Sequence, residues 1–260
     1  MKILFIGDIN GRPGRRAVRE FLPELKAEYQ PDLVIANGEN MASGFGLTPD
    51  TYQEVMDYGI DCMTTGNHVW DKADIIPILE TKSEPLLRPA NFPSKDPGRG
   101  YDDIMVGKER IRVVNLMGQV FMKQRTTSPF EKIDEILADP SCPKVVFIDF
   151  HAETTSEKIA FAYYVDGRAS MAVGTHTHVQ TNDARILAGG TAALTDAGMT
   201  GPRDGVIGVD KDIIIKSYLT SMPWKGEVAS GAIILSGLVV DIDPETGKAT
   251  SIELIKREKE

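Results

Sequence analysis

Five short apolar runs in this chain each lead into a residue able to bind a metal ion. Phe5-Ile6-Gly7 ends at Asp8, and Val34-Ile35-Ala36 ends at Asn37-Gly38-Glu39-Asn40. Met63-Thr64-Thr65-Gly66 leads to Asn67-His68, and Val146-Phe147-Ile148-Asp149-Phe150 leads to His151. Met171-Ala172-Val173-Gly174 leads to Thr175-His176-Thr177-His178. Runs of this length, bounded by turn residues, read as buried strands. The spacing predicts strands over 2–7, 32–37, 61–65, 110–116, 144–150 and 170–174. Amphipathic stretches between them predict helices over 13–29, 49–58, 74–80, 130–137, 156–164 and 211–220. Strand and helix in alternation imply a mostly parallel α/β sheet with helices on both faces. In such sheets the carboxyl ends of the strands share one edge, where ligands bind.

The C-terminal part adds two runs, 229–242 and 250–256, that read as antiparallel strands joined by a turn at Asp243-Pro244-Glu245-Thr246-Gly247. That acidic turn lacks the ligand spacing of a calcium loop. Residues 85–100, rich in Pro, Gly and Asn, read as an ordered surface loop. There is no internal repeat and no convincing linker, so one domain over 1–260 is expected.

All four histidines, His68, His151, His176 and His178, fall at these strand ends. A lone histidine is more often a surface or core residue than a ligand. Four together, beside Asp8, Glu39, Asn40 and Asn67 on one expected edge, point to a metal site. In His176-Thr177-His178 the two rings point the same way if the chain is extended, or reach two neighbouring ions if it bends into a loop. The candidate ligands are Asp8, Glu39, Asn40, Asn67, His151, His176 and His178. They contain no thiolate, which suits manganese, iron or zinc rather than a cysteine-type structural zinc. Seven are too many for one tetrahedral ion and suit two ions sharing a carboxylate. Ions about 3.5–4 Å apart stabilise the attacking and leaving oxygens of a phosphoryl displacement.

Bulk properties narrow the class further. A formal net charge of −9 argues against a grip on long nucleic acid, which needs a basic face. It leaves room for a small phosphorylated substrate, because metal ions supply positive charge locally. No apolar run approaches the roughly 20 residues of a membrane-spanning helix, so no membrane partner is expected. The apolar start, residues 1–6, is too short for a signal peptide and runs into Gly7-Asp8 without a cleavage site. Cys62 and Cys142 lie far apart and form no metal-type pair, which suggests a reducing, cytoplasmic setting.

Several features allow two readings. Gly7 to Gly14 follows a strand and precedes a helix, as a phosphate loop does, but lacks the Gly-Lys-Ser/Thr ending. Arg12 faces either solvent or a phosphate. Asp71 either orients the His68 imidazole or caps the next helix. The Gly-rich stretches 43–46 and 198–202 line the pocket or form turns. Trp70 and Phe45 belong to the core by default, with stacking on a base as the alternative.

In order along the chain, Gly7-Asp8-Ile9-Asn10, Asn37-Gly38-Glu39-Asn40, Gly66-Asn67-His68, His151 and Gly174-Thr175-His176-Thr177-His178 resemble the motifs of the calcineurin-like metallophosphoesterases, over roughly residues 1–205. That superfamily shows Asp-x-His, Gly-Asp-x-x-Asp, Gly-Asn-His-Glu/Asp, a lone His and Gly-His-x-His. Asn10 stands where it usually has a metal-binding His, and Glu39 where it has the bridging Asp. Both changes, with Ile148-Asp149-Phe150-His151-Ala152-Glu153 and Gly198-Met199-Thr200-Gly201-Pro202, resemble the bacterial YmdB-like branch over nearly the whole length. The resemblance implies a two-sheet αββα sandwich of the calcineurin-like metallophosphoesterase type. It also implies a phosphodiesterase for cyclic nucleotides such as 2′,3′-cyclic AMP, and a homo-oligomer. Two divalent ions per chain are implied, iron or manganese first, with zinc also fitting. One would be held by Asp8, Glu39, Asn40 and His178, the other by Glu39, Asn67, His151 and His176.

On that basis a metal-bound hydroxide is expected to attack phosphorus in line, with His68 as general acid for the leaving alkoxide. Rival readings are a phosphomonoesterase or 5′-nucleotidase with the same metal core, a metal-bound regulatory protein with residual activity, and a mononuclear iron oxygenase. A substrate panel separates the first, the intact His68 argues against the second, and metal stoichiometry tests the third.

Overall fold

The computed structural model describes residues 1–222 and 225–260. In chain order the elements are β1 (Lys2–Ile6), β2 (Asp8–Ile9), α1 (Gly11–Tyr29), β3 (Leu33–Asn37), α2 (Pro49–Asp57) and β4 (Cys62–Thr64). A 3-10 turn (Ala73–Ile75) leads into α3 (Ile76–Glu80), followed by β5 (Tyr101–Val106), β6 (Glu109–Met117), α4 (Pro129–Leu137) and β7 (Val145–His151). Then come α5 (Thr155–Tyr164), β8 (Met171–Thr175), β9 (Arg185–Ile186), β10 (Ala192–Leu194) and β11 (Met199–Pro202). The chain ends with α6 (Lys211–Leu219), β12 (Ile233–Asp243) and β13 (Lys248–Lys259).

The strands form two sheets, one in the order β2-β11-β12-β1-β3-β4 with β13 on β12, the other β5-β6-β7-β8-β10-β9. β1, β3 and β4 run parallel, as do β6, β7, β8 and β10. Period-two alternation sorts the side chains into layers. Ile3 and Phe5 of β1 meet Val145 and Phe147 of β7 in the core between the sheets, where the Phe5 and Phe147 rings lie 5.0 Å apart. Leu4 and Ile6 face the other way, onto Val18, Leu22 and Leu25 of α1. Val146, Ile148 and Phe150 face Ile133 and Ile136 of α4 and Phe161 of α5. Each such fully buried aliphatic or aromatic side chain contributes about 1.5–3 kcal/mol.

This is the two-sheet αββα sandwich that the resemblance implies, whereas the alternation of strand and helix by itself points to a mostly parallel sheet with helices on both faces. Every strand of β1, β3 and β7 is buried on both sides, as in a doubly covered sheet, but one cover is the other sheet. Apolar runs record burial on two faces and not what does the burying.

Other expectations shift in detail. The first half of the stretch 85–100 lies inside the molecule, with Leu86, Leu87, Arg88, Asn91 and Phe92 buried, while residues 93–95 are exposed as expected of a surface loop. Asn91 makes this tolerable, because its Nδ2 donates to the carbonyls of Met117 and Thr127. The C-terminal hairpin starts later and ends later than its hydrophobic pattern indicates, and Thr246 and the backbone of Glu245 close its turn onto the Asp243 carboxylate. Asp71 caps no helix, since the position before the 3-10 turn is Lys72.

Candidate metal centre

β1 and β3 of one sheet and β7 and β8 of the other end at the same rim, so Asp8, Glu39, His151 and the segment after Thr175 converge there. Glu39, His151 and His176 offer ligand atoms within 4.8 Å of one another, and so do Asp8, Glu39 and His178. Glu39 belongs to both groups. Asn67 joins the first, with its Oδ1 2.9 Å from His151 Nε2. Asn40 joins the second, with its Nδ2 3.0 Å from His178 Nε2 and 3.1 Å from Glu39 Oε1. Ligation through Asn40 therefore requires a half-turn of its amide to bring Oδ1 inward. Gly66 is needed for close approach: a Cβ there would overlap Glu39 Oε2 and the His151 ring.

The hydrogen bonds around His151 show what the cluster is suited to hold. Thr64, Thr175 and Asn37 all donate to the buried Asp149 carboxylate. The only hydroxyl proton of Thr175 is thus committed, and its Oγ1 accepts from His151 Nδ1 at 2.9 Å. In the neutral ring Nε2 is then a bare lone pair, facing Asn67 Oδ1 at 2.9 Å and Glu39 Oε1 at 3.1 Å. Three acceptors around one point need a positive charge between them, a proton on Nε2 or a metal ion. Likewise His178 Nδ1 donates to the Ile207 carbonyl at 2.9 Å, leaving Nε2 turned to the cluster. Asp8 is fully buried, and its Oδ1 has no hydrogen-bond partner among the described residues. A buried carboxylate oxygen left unpaired is costly and fits a metal ligand. The donor set of oxygen and imidazole suits a divalent metal.

Electrostatics agree. Burial lifts the Asp8 carboxyl from 3.8 to about 7, although His178 and His151 pull it down. Burial would also lift Glu39, but the charge and hydrogen bond of His151 outweigh it and hold the group below its ordinary range. Burial would lower His151, yet Glu39, Asp8 and Asp149 raise it to about 9. Burial and the neighbouring His151 charge lower His176 to about 3.

The loop carrying His176 and His178 is bent, not extended. Both residues have positive φ, 99° and 65°, which strains side-chain-bearing residues. A buried ion pair holds the bend: Lys158 of α5 lies 2.6 Å from Asp196, which also accepts from the backbone and hydroxyl of Thr177 and from the backbone of Gly198. On the outer side, Glu153 lies 2.9 Å from His176 Nε2.

His68 stands beside the cluster rather than in it. Its backbone N–H donates to Glu39 Oε2 at 3.3 Å, and its Nδ1 lies 2.8 Å from Asp71, leaving Nε2 free. Phe45 meets its ring edge-on at 5.0 Å and is exposed rather than part of the core. Trp70 packs on the core, beside Phe92. The cluster floors a cavity of about 270 Å³ lined by His68, Phe45, Asn10, Glu153 and Val228. Residues 43–45 line it; 199–202 form β11, paired with β2.

Sequence reasoning missed Asp149, Thr175, Glu153, Asp196 and Lys158. A charged residue inside the apolar run Val145–Phe150 was a usable signal for Asp149. Lys158 and Asp196 sit in ordinary surroundings in sequence, and only the tertiary fold joins them.

The family described as YmdB-like protein is matched by residues 4–255. The chain is 49% identical over 256 residues to the 2′,3′-cyclic-nucleotide 2′-phosphodiesterase of Bacillus subtilis, covering 98% of this chain and 96% of the relative. It superposes on a Mycoplasma pneumoniae structure described as a novel phosphatase with a TM-score of 0.94, at 36% identity, covering 99% of this chain and 93% of that one. A putative 5′-nucleotidase from Staphylococcus aureus, at 15% identity and TM-score 0.59, shares the fold alone over 98% of this chain and 54% of its own.

Proposed function

This chain belongs to the YmdB-like family, and from that premise we propose that it is a metal-dependent phosphodiesterase hydrolysing 2′,3′-cyclic nucleotides. The observation that carries the reading is the pair of ligand groups sharing the buried Glu39. Asp8, Glu39, Asn40 and His178 would hold one metal, and Glu39, Asn67, His151 and His176 the other, with iron or manganese the expected ions. Bound metal supplies an activated water and neutralises charge growing on the phosphoryl oxygens.

The protein's own groups do the rest. Thr175 and Asp149 fix the His151 tautomer so that Nε2 faces the centre. Asp71 orients His68, whose Nε2–H gives its proton to the departing ribose oxygen. Water opens the cyclic diester, one P–O bond to ribose breaks, and a phosphomonoester remains. The 49% identical relative named for this activity supports the substrate class.

The test is a panel of 2′,3′-cyclic AMP, a linear diester and a nucleoside monophosphate, run on protein reconstituted separately with Mn²⁺, Fe²⁺ and Zn²⁺. Preferential turnover of the cyclic compound is expected. Preferential turnover of the monoester would replace this reading by a nucleotidase.

A further inference from the structure

Next to the catalytic cavity lies a second, larger groove of about 820 Å³, and the two share Ser43, Phe45, Gly226, Glu227 and Val228 as a common wall. The groove is lined by three cations, Arg12, Lys72 and Lys225. Among the described residues none of the three makes an ion pair or a side-chain hydrogen bond, and Glu227 is the only carboxylate lining the groove. The chain as a whole carries 38 acidic against 29 basic residues, so three cations facing one carboxylate run against its composition. Arg12 also sits in the first turn of α1, which contains no acidic residue. The positive end of the helix dipole disfavours a cation there, and an anion in the groove offsets this. Arg15 and Arg16 in the same helix are instead paired, with Glu54 and Glu20.

We infer that this groove takes a second phosphoryl group, so that the favoured substrate is a 2′,3′-cyclic nucleotide carrying a phosphate on its 5′ side. The inference rests on the cyclic-nucleotide reading of the metal centre. With the cyclic phosphate over Glu39 and the histidines, the 5′ carbon leaves the opposite side of the ribose ring. The exposed Phe45, on the wall between the cavities, offers its ring to the nucleoside bridging them. A 5′ phosphate then lies among the cations, which bind it as charged donors. Two compounds share this chemistry: a 5′-phosphorylated cyclic mononucleotide, and the 3′ end of a short RNA that closes in a cyclic phosphate. Such ends form when a ribose 2′-hydroxyl attacks the adjoining phosphodiester. The groove holds one added phosphate rather than a track of them, in keeping with a net charge of −9.

The test compares kcat/KM for adenosine 2′,3′-cyclic phosphate, its 5′-phosphorylated form, and the dinucleotide ApA ending in a 2′,3′-cyclic phosphate. The Mn²⁺-loaded native protein and the Arg12→Ala/Lys72→Ala/Lys225→Ala variant are both measured. The native protein should favour the substrates with the added phosphate by about tenfold, the scale of one hydrogen bond to a charged group. The preference should fall towards one in the variant, and should shrink in the native protein as salt is raised. Equal values for the native protein, a preference that survives in the variant, or a preference for the dinucleotide alone would overturn the phosphate groove. A protein that turns over none of the three compounds would instead overturn the cyclic-nucleotide reading beneath it.

Discussion

His68 and Glu39 touch each other, yet substitutions at the two should separate cleanly. The His68 side chain lies outside both ligand groups and is tied to Asp71. His68→Ala should therefore keep its metal while kcat falls about 10²–10⁴-fold, the usual contribution of a positioned acid. Elemental analysis beside steady-state kinetics reads both quantities, and normal turnover would remove His68 from the mechanism. Glu39 alone belongs to both groups, so Glu39→Ala should empty the centre, and retention of two ions per chain would refute a shared ligand. At this scale the sequence was legible wherever the residue type itself carries chemistry. The seven candidate ligands announced themselves as polar residues at the ends of apolar runs. The residues that orient them did not. Thr175, Asp149 and Glu153 gain their meaning from distances of 2.7–2.9 Å that no spacing along the chain encodes.

The long strands and helices were legible for a related reason: β1, β3, β7 and β8 are largely apolar runs, and α1 and α4 carry one buried stripe. The short strands β2, β9, β10 and β11 were not, because two to four residues give no period to read. The loop after β8 is a case where an element depends on a distant one. Its two histidines have positive φ, and nothing local compensates for the strain. Lys158, from α5, holds Asp196 in place, and Asp196 bonds the loop on either side of His178, through its carboxylate to the Thr177 backbone and through its own backbone to Thr181. Both side chains of the pair are within 2% of full burial. Lys158→Met should leave the Asp196 charge buried without its cation and destabilise the fold by about 3–5 kcal/mol. Urea unfolding measures this, and a loss below about 1 kcal/mol would mean that the pair does not hold the loop.

Across the whole molecule, gathering these groups at one rim makes metal and pH act on stability together. Without metal, Asp8 is raised from 3.8 to about 7 and His151 from 6.5 to about 9. A group raised on folding contributes stability below its unfolded value, and that contribution is lost as pH climbs through its folded value. His176 works in the opposite sense: lowered from 6.5 to about 3, it favours the fold increasingly as pH rises, but its effect is complete near 6.5. The Asp8 contribution is spent by about pH 7, so above that His151 sets the slope from this cluster, and the metal-free fold should lose stability between about pH 7 and 9. Divalent metal held by these residues should reverse the direction, because it needs the same ligands deprotonated and would bind more tightly as pH rises. Binding to the folded chain alone then adds stability by mass action. Thermal unfolding with chelator present should show Tm falling from pH 7 to 9, while the gap between chelated and Mn²⁺-saturated protein widens over the same interval. A chelated protein whose Tm is flat or rising there would mean that the carboxylates around His151 do not hold its ring protonated. The sandwich brings strand ends from two face-packed sheets together over a set of mutually repelling acceptors, and this slope measures what that arrangement costs when no cation is present.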